Sequence, residues 1–145
     1  MNDSPIARTP SLAAAAQLLM ASRLPTEDLT EAHCEHFFYM GTASAPDGLV
    51  GLELFGEVAL LRSLVVADSR RGTGAGSRLL AHAERHAQMH GVRALYLLTT
   101  TAEPFFAKRG FARAARDEAP PSIRATREFA GICPASSAFM VKRLA

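Results

Sequence analysis

The sequence predicts an α+β (α/β) fold, a mixed and mostly antiparallel sheet of about seven strands flanked by helices. Three observations lead there. The first half of the chain strings short apolar runs between turn-forming residues, as hairpins do. The second half runs strand, glycine-rich turn, helix, strand, which calls for a parallel pair. Between them, residues 58–67 are apolar on both faces except for Arg62 and Ser63, the pattern of a central strand. At 145 residues the chain makes one domain, 1–145, large enough to bury a core without disulfide staples.

In order, residues 4–8 read as a short first strand. Pro10 and Ser11 open a helix from Leu12 to about Ser22, with Leu12, Ala15, Leu18 and Leu19 on one face. Pro25 and Thr26 stop it and cap a second short helix through Glu27, Asp28 and Leu29. A strand follows from His36 to Met40, closed by a polar turn at Ala45-Pro46-Asp47-Gly48. Leu49–Phe55 and Val58–Ala67 form a hairpin about the two-residue turn Gly56-Glu57. The glycine-rich turn, residues 70–76, leads into a helix to His90, whose Leu79, Leu80, Ala83 and Ala87 share a face and whose C-cap is Gly91. Ala94–Leu98 is a buried strand, Ala102–Arg109 a short helix, and Phe111 enters another strand. Pro120-Pro121-Ser122 opens a helical turn through Arg127, and Ser137–Lys142 is the last strand.

Composition removes several classes of function. Hydrophobic residues make up 48% and charged residues 21%, a globular balance. A net charge of +2 and 7% aromatic residues do not suit a nucleic-acid binder. Two cysteines, Cys34 and Cys133, make neither a disulfide framework nor a zinc cluster, and no metal is expected. The apolar stretch Leu12–Met20 is too short to span a bilayer; Asp3 and Gln17 spoil it as a secretion leader, so a cytoplasmic protein with no membrane partner is expected.

The glycine-rich turn is an anion site by construction, because a helix N-terminus offers unpaired N–H groups that glycine lets a ligand approach closely. No Lys follows Gly76, so a P-loop is excluded, and the G-x-G-x-G spacing of Gly72, Gly74 and Gly76 is not the dinucleotide fingerprint. Arg71, Gly74 and Gly76 match R-x-x-G-x-G. This motif, with the order of elements over nearly the whole chain, resembles the GNAT superfamily of acetyl-CoA-dependent N-acetyltransferases. Leu98-Thr99-Thr100-Thr101, Phe105-Phe106 and Arg109-Gly110-Phe111 are similar to the acetyltransferase domain of N-acetylglutamate synthases. The tail, with Ser122-Ile123-Arg124-Ala125-Thr126, Glu128-Phe129 and Cys133-Pro134-Ala135-Ser136, looks like that of amino-acid N-acetyltransferases associated with arsenic-resistance operons.

The resemblance implies acetyl-CoA as cosubstrate, its pyrophosphate on Arg71, Gly72, Thr73, Gly74, Ala75, Gly76 and Ser77. Its acyl arm would follow the backbone of Leu64, Val65 and Val66, near Phe105 and Phe106. It implies a small-molecule amine as acceptor, plausibly a glutamate analogue of the arsinothricin or phosphinothricin kind. Two usual side chains are absent. The tyrosine that protonates the departing thiolate falls at Phe106, which has no proton to give, and the hydroxyl used by synthase-like members maps to Thr99. The usual general base on the fourth strand falls at Leu60. The two-residue turn places residue 53 opposite residue 60, which makes Glu53 the replacement base. Thr99 serves as acid or merely bonds backbone; Glu53 serves as base or pairs with Arg62.

Arg62 interrupts an apolar strand and must find an anion. The resemblance adds Arg124, because the synthases' basic residue in that tail engages the substrate's side-chain carboxylate; with Ser63 and Phe38 the two arginines form the expected substrate side, gripping a carboxylate or related oxyanion bidentately. Two other functions stay open: acetylation of a protein N-terminus or lysine, and a CoA-binding sensor that kept the loop and lost the catalyst. The last strand, with Phe139 and Val141, offers an edge for a homodimer.

Overall fold

The computed structural model describes residues 5–24, 26–132 and 136–144; Ser4, Pro25, Cys133, Pro134 and Ala135 lie outside the described residues. Seven strands form one sheet, β1 (Ile6–Arg8), β2 (Phe37–Thr42), β3 (Ala45–Phe55), β4 (Val58–Val66), β5 (Ala94–Thr99), β6 (Ala112–Arg113) and β7 (Ala138–Arg143). Their spatial order is β1-β2-β3-β4-β5-β7-β6. Neighbours are antiparallel except β4 and β5, which are parallel. Among the described residues five α-helices join them: α1 (Leu12–Ala21), α2 (Glu31–Cys34), α3 (Ala75–Met89), α4 (Glu103–Ala107) and α5 (Pro121–Arg124).

Strand alternation sorts the core into two sides. Val50 and Leu52 of β3, Ala59 and Leu61 of β4, and Leu95 and Leu97 of β5 pack on Leu79, Leu80, Ala83 and Ala87 of α3. On the other side α1 covers Phe37, Leu49 and Val65, while Leu60, Tyr96 and Phe139 pack with Ile123 of α5. The four α3 residues assigned to the core from their spacing are all buried.

The β3–β4 hairpin has the expected turn. Phe55 pairs with Val58 and Glu53 with Leu60, and Gly56 has φ +70°, a conformation costly for a side-chain-bearing residue. Farther along, Gly51 pairs with Arg62 but Leu49 with Val65, so β4 carries one residue more than its partner. The surplus is a β-bulge at Ser63 and Leu64, with Ser63 at φ +61°. The bulge resets the alternation. Before it, Arg62 points away from α3; after it, Leu64 and Val66 pack on the α3 side.

Three expectations are corrected. Thr26 does not cap the second helix; Thr30 does, four residues later. Its Oγ1 accepts the His33 N–H at 3.4 Å while His33 Nδ1 accepts the Thr30 N–H at 3.1 Å, a reciprocal cap that outcompetes the earlier one. Residues 45–48 are not a turn but the start of β3: the Asp47 carbonyl accepts from Ala67 at 2.8 Å and its carboxylate from Arg70 at 3.1 Å, which holds the segment extended. Finally, β7 is not an edge, because β5 and β6 pair with it on either side; Phe139 is buried there against Tyr96 and Phe129.

Gly51 marks the tightest place in this packing. A Cβ there would lie 2.2 Å from the Phe37 ring, which is fully buried. Gly51→Ala should therefore lower stability by about 1–3 kcal/mol through overpacking. Denaturant unfolding checks this, and an unchanged midpoint would show that the Phe37 ring can move aside.

Candidate functional site

The pairing of β4 with β5 runs from Val58↔Ala94 to Leu60↔Tyr96. Beyond it the strands splay, because β4 follows β3 through its bulge while β5 follows β7 to Thr99↔Ala138. A cleft of about 420 Å³ fills the gap, walled by residues 61–66 of β4, residues 97–102 and both Phe105 and Phe106. A gap within a sheet leaves strand N–H and C=O groups facing it, a natural seat for an extended amide-bearing ligand.

The glycine-rich turn closes one end, with Arg71 and Gly76 in the lining. Gly72 and Gly74 have φ +78° and +84°, and a Cβ on either would meet no atom within 4 Å. What glycine supplies at these two positions is therefore the left-handed backbone. Gly74 is the N-cap of α3 and no side chain caps the helix, so its first amides are left for a ligand anion. Arg71 stays at the surface, paired with Asp68 at 3.2 Å. Ser77 is held by Arg109, which donates to its Oγ at 2.6 and 2.9 Å, donates to the Phe105 carbonyl at 2.8 Å and lies 3.7 Å above the Phe105 ring. This arginine ties α4 to the first turn of α3 and fixes the aromatic wall.

Two of the hydroxyls lining the cleft belong to Thr99, at the end of β5, and Ser137, just before β7. Thr99 Oγ1 accepts the Ala102 N–H at 3.0 Å, which leaves its own proton to donate. Ser137 lines the same cleft, and its Oγ is buried with no hydrogen-bond partner among the described residues. Sequence reasoning missed Ser137. Its signal is positional: it precedes Ala138, the residue opposite Thr99.

Arg62 also lines the cleft, with its side chain wholly enclosed. It donates to both Asp28 oxygens at 2.5 and 2.7 Å, to Glu53 at 2.9 Å and to Ser63 Oγ at 3.2 Å, and pairs with Glu128 at 3.0 Å. Burial alone would pull its pKa down, but the Asp28 hydrogen bonds and the charges of Glu128 and Asp28 outweigh it and raise the pKa. Burial works against the Asp28 carboxylate too, yet Arg62 holds its pKa below the ordinary value. Glu128 is the carboxylate that yields. Burial, opposed by Arg62 and reinforced by the charges of Asp28 and Glu53, lifts its pKa to about 7.

Beyond this cluster lies a second hollow of about 280 Å³, lined by Asp28, His33, Glu53, Ser122, Thr126 and Arg127 among others. Asp28, His33 and Glu53 bring one ligand-type atom each within 4.8 Å of one another. Arg62 already takes both Asp28 oxygens and one of Glu53, so a guanidinium stands where a cation would need those lone pairs.

Two expected substrate contacts go elsewhere. Phe38 faces α3, where its ring meets His82 and His86 at 4.7 and 4.8 Å, so strand alternation puts it on the side away from Glu53. Arg124 donates to the Ala119 carbonyl at 3.1 Å and to the Asp117 carbonyl, and lines neither hollow. Arg62 is held by three protein carboxylates rather than left to grip a ligand.

A family model described as an acetyltransferase (GNAT) domain matches residues 33–113. An amino-acid acetyltransferase of Ralstonia nicotianae is 45% identical over 67 residues, 46% of this chain and 15% of that protein. One of Neisseria meningitidis serogroup A is 31% identical over 101 residues, 68% of this chain and 23% of that protein. Among solved structures, N-acetylglutamate synthase from Neisseria gonorrhoeae, complexed with coenzyme A and N-acetyl-glutamate, superposes with a TM-score of 0.81 at 26% identity. It covers 100% of this chain and 36% of the synthase. The chain thus spans 15% to 36% of the length of these relatives.

The raised Glu128 pKa sets a pH signature. Folded, Glu128 keeps its proton to about pH 7; unfolded, it loses it near 4.5. Between those values the folded state binds the extra proton, so this residue makes stability fall as pH rises from about 4.5 to about 7. Glu128→Gln cannot ionise. Denaturant unfolding at pH 5 and pH 8 should show the parent chain losing more stability on that step than the variant. Equal losses would mean that Glu128 is ionised throughout.

Proposed function

The chain belongs to the GNAT acetyltransferase family, and we propose that it transfers an acetyl group from acetyl-CoA to the amine of a small amino acid. The observation that carries this reading is the cleft between the splayed ends of β4 and β5, closed by an uncapped helix N-terminus. A pantetheine arm is a narrow chain with amides, suited to such a gap, and a pyrophosphate suits the amides of residues 71–76. Gly76 supports the seat as backbone in the cleft lining next to the Phe105 ring.

The acidic cluster supports an amine acceptor. One guanidinium among three carboxylates leaves a local surplus of negative charge, which draws an ammonium group. Arg127, in the lining of the second hollow and, among the described residues, bonded through its side chain at 3.5 Å to the Glu27 carbonyl, is the cation we assign to the substrate carboxylate, in place of Arg124. A zwitterion would span these two charges. Glutamate and its analogues phosphinothricin and arsinothricin are the substrates to try first.

Acetyl-CoA supplies the activated thioester carbonyl. Glu53 takes the proton from the substrate ammonium, freeing the nitrogen lone pair to attack that carbonyl carbon. Backbone N–H groups of residues 64–66 stabilise the developing oxyanion. The nitrogen, cationic after attack, gives its second proton to solvent as the carbon–sulfur bond breaks; the Thr99 hydroxyl gives a proton to the departing sulfur and regains one from solvent.

Glu53→Gln keeps size and hydrogen bonding but removes the base. In a thioester-turnover assay over an amino-acid panel, kcat near neutral pH should fall by roughly 10²-fold, with partial recovery as pH rises and solvent deprotonates the amine. A rise in KM alone would make Glu53 an orienting partner of Arg62. Binding of acetyl-CoA without turnover on any amine would instead favour a CoA sensor.

Gly74→Val tests the cofactor seat. At φ +84° a side chain costs about 1–2 kcal/mol and displaces the turn, so acetyl-CoA affinity should drop while the domain stays folded. Unchanged affinity in a folded variant would remove the pyrophosphate from this loop.

A further inference from the structure

Arg109, just after α4, holds a charge that no carboxylate pairs with among the described residues. Its partners are neutral. Nε and Nη2 both donate to Ser77 Oγ, at 2.9 and 2.6 Å, and Nη1 donates to the Phe105 carbonyl at 2.8 Å. Each terminal nitrogen carries a second N–H, which has no acceptor among the described residues.

The place is electrostatically poor for a cation. Ser77 stands in the first turn of α3, where unpaired amides make the helix end positive. Cations stabilise a helix at its other end. The chain nonetheless pins this guanidinium there, half-buried, by three hydrogen bonds and by the Phe105 ring 3.7 Å away. A fixed cation beside a positive helix end is an arrangement that a bound anion relieves on both counts.

Ser77 adds a directional argument. A hydroxyl oxygen has two lone pairs, and here two Arg109 N–H groups take them. What remains to Ser77 is to donate its proton, and the charged donors polarise it toward doing so. A guanidinium and a hydroxyl that can only donate together suit an oxyanion. Neither residue lines the cleft, but each adjoins one that does: Ser77 follows Gly76, and Arg109 stacks on Phe105. They stand outside the cleft at the end closed by the glycine-rich turn.

We propose that Arg109 binds the diphosphate of acetyl-CoA through its free N–H groups, with the Ser77 hydroxyl beside it, and that its grip on Phe105 aligns the cleft wall with that contact. The inference rests on the acetyl-CoA reading above and adds two side chains to the backbone amides of residues 71–76. Arg71, the arginine of the sequence motif, is exposed and paired with Asp68. Arg109 is the fixed charge, and its planar fork matches phosphate oxygens in a way an ammonium does not.

The experiment compares acetyl-CoA, acetyl-dephospho-CoA and S-acetylpantetheine as donors, beside calorimetric binding of CoA. Arg109→Gln should weaken CoA binding and raise KM for acetyl-CoA at least about tenfold. The KM for acetyl-dephospho-CoA should rise equally, because that thioester keeps the diphosphate. With S-acetylpantetheine, which has no phosphate, parent and variant should be alike. Ser77→Ala places a good helix former in the first turn and should show the same pattern more weakly, which decides the matter if Arg109→Gln does not fold. Arg113→Gln, which removes an exposed arginine paired with Glu103, should leave CoA binding unchanged. An equal loss with S-acetylpantetheine would reduce Arg109 to a staple for Phe105, and a loss that spares acetyl-dephospho-CoA would move it to the 3′-phosphate. Either outcome, or unchanged binding of CoA by a folded Arg109→Gln, overturns the proposal alone. Failure of the parent chain to bind CoA overturns the acetyl-CoA reading and this inference with it.

Discussion

A guanidinium with no solvent contact has to be met by acceptors and counter-charge, and Arg62 is met by three carboxyl groups. Removing one partner from a buried ion pair typically costs about 3–5 kcal/mol, because the other charge is left in a poor solvent. Arg62 therefore sets the positions of everything that touches it. Asp28 comes from the segment between α1 and α2, Glu53 from β3, and Glu128 from the tail after α5. These segments have little else in common. Their convergence gathers three carboxyl groups around Arg62, the member of the cluster that also lines the cleft; Asp28 and Glu53 line the second hollow.

The charge balance of this cluster gives it a chemical character beyond stability. Three ionised carboxylates around one cation would be repulsive, and the structure relieves this by leaving Glu128 protonated up to about pH 7. The same surplus makes the wall receptive to a second cation. An ammonium group supplies one, and its proton is the one an acyl acceptor must lose. Pairing with Arg62 is therefore compatible with the proton transfer proposed for Glu53. One of its oxygens receives a hydrogen bond from Arg62, and the other lies 3.9 Å from His33 Nε2.

How much of this the sequence disclosed follows from the range of each interaction. The glycine loop, the buried face of α3 and the Glu53–Leu60 register depend on spacing within a few residues, and the sequence carries them. Asp28 and Glu128 lie 34 and 66 residues from Arg62. No local pattern encodes such pairings, so Arg62 was legible as a charge in need of an anion, with Glu53 as one partner from the hairpin register, but not as one also held by Asp28 and Glu128. Residues 45–48 misled for the complementary reason. Their proline, aspartate and glycine suit a turn, yet contacts with Ala67 and Arg70 hold them extended.

The bulge in β4 explains how one strand serves both the cleft and the acidic wall. In a regular strand Arg62 and Leu64 would share a face, and a buried charge would project among the same residues as an apolar lining. With Ser63 at φ +61° the alternation breaks between them. Arg62 projects toward Asp28, Glu53 and Glu128, while Leu64 and Val66 pack toward α3 and Phe105. Strain at a non-glycine residue in this region costs on the order of 1–3 kcal/mol and persists where surrounding contacts hold it. Here the contact is at hand: Ser63 Oγ accepts from Arg62 Nε at 3.2 Å, so the ion cluster also secures the distorted residue. Leu60↔Tyr96 is the last parallel pair, and the bulge begins three residues later. The opening of the sheet, the separation of charge from apolar wall and the anchoring of Arg62 thus arise within a single turn of sequence, from one extra residue in β4.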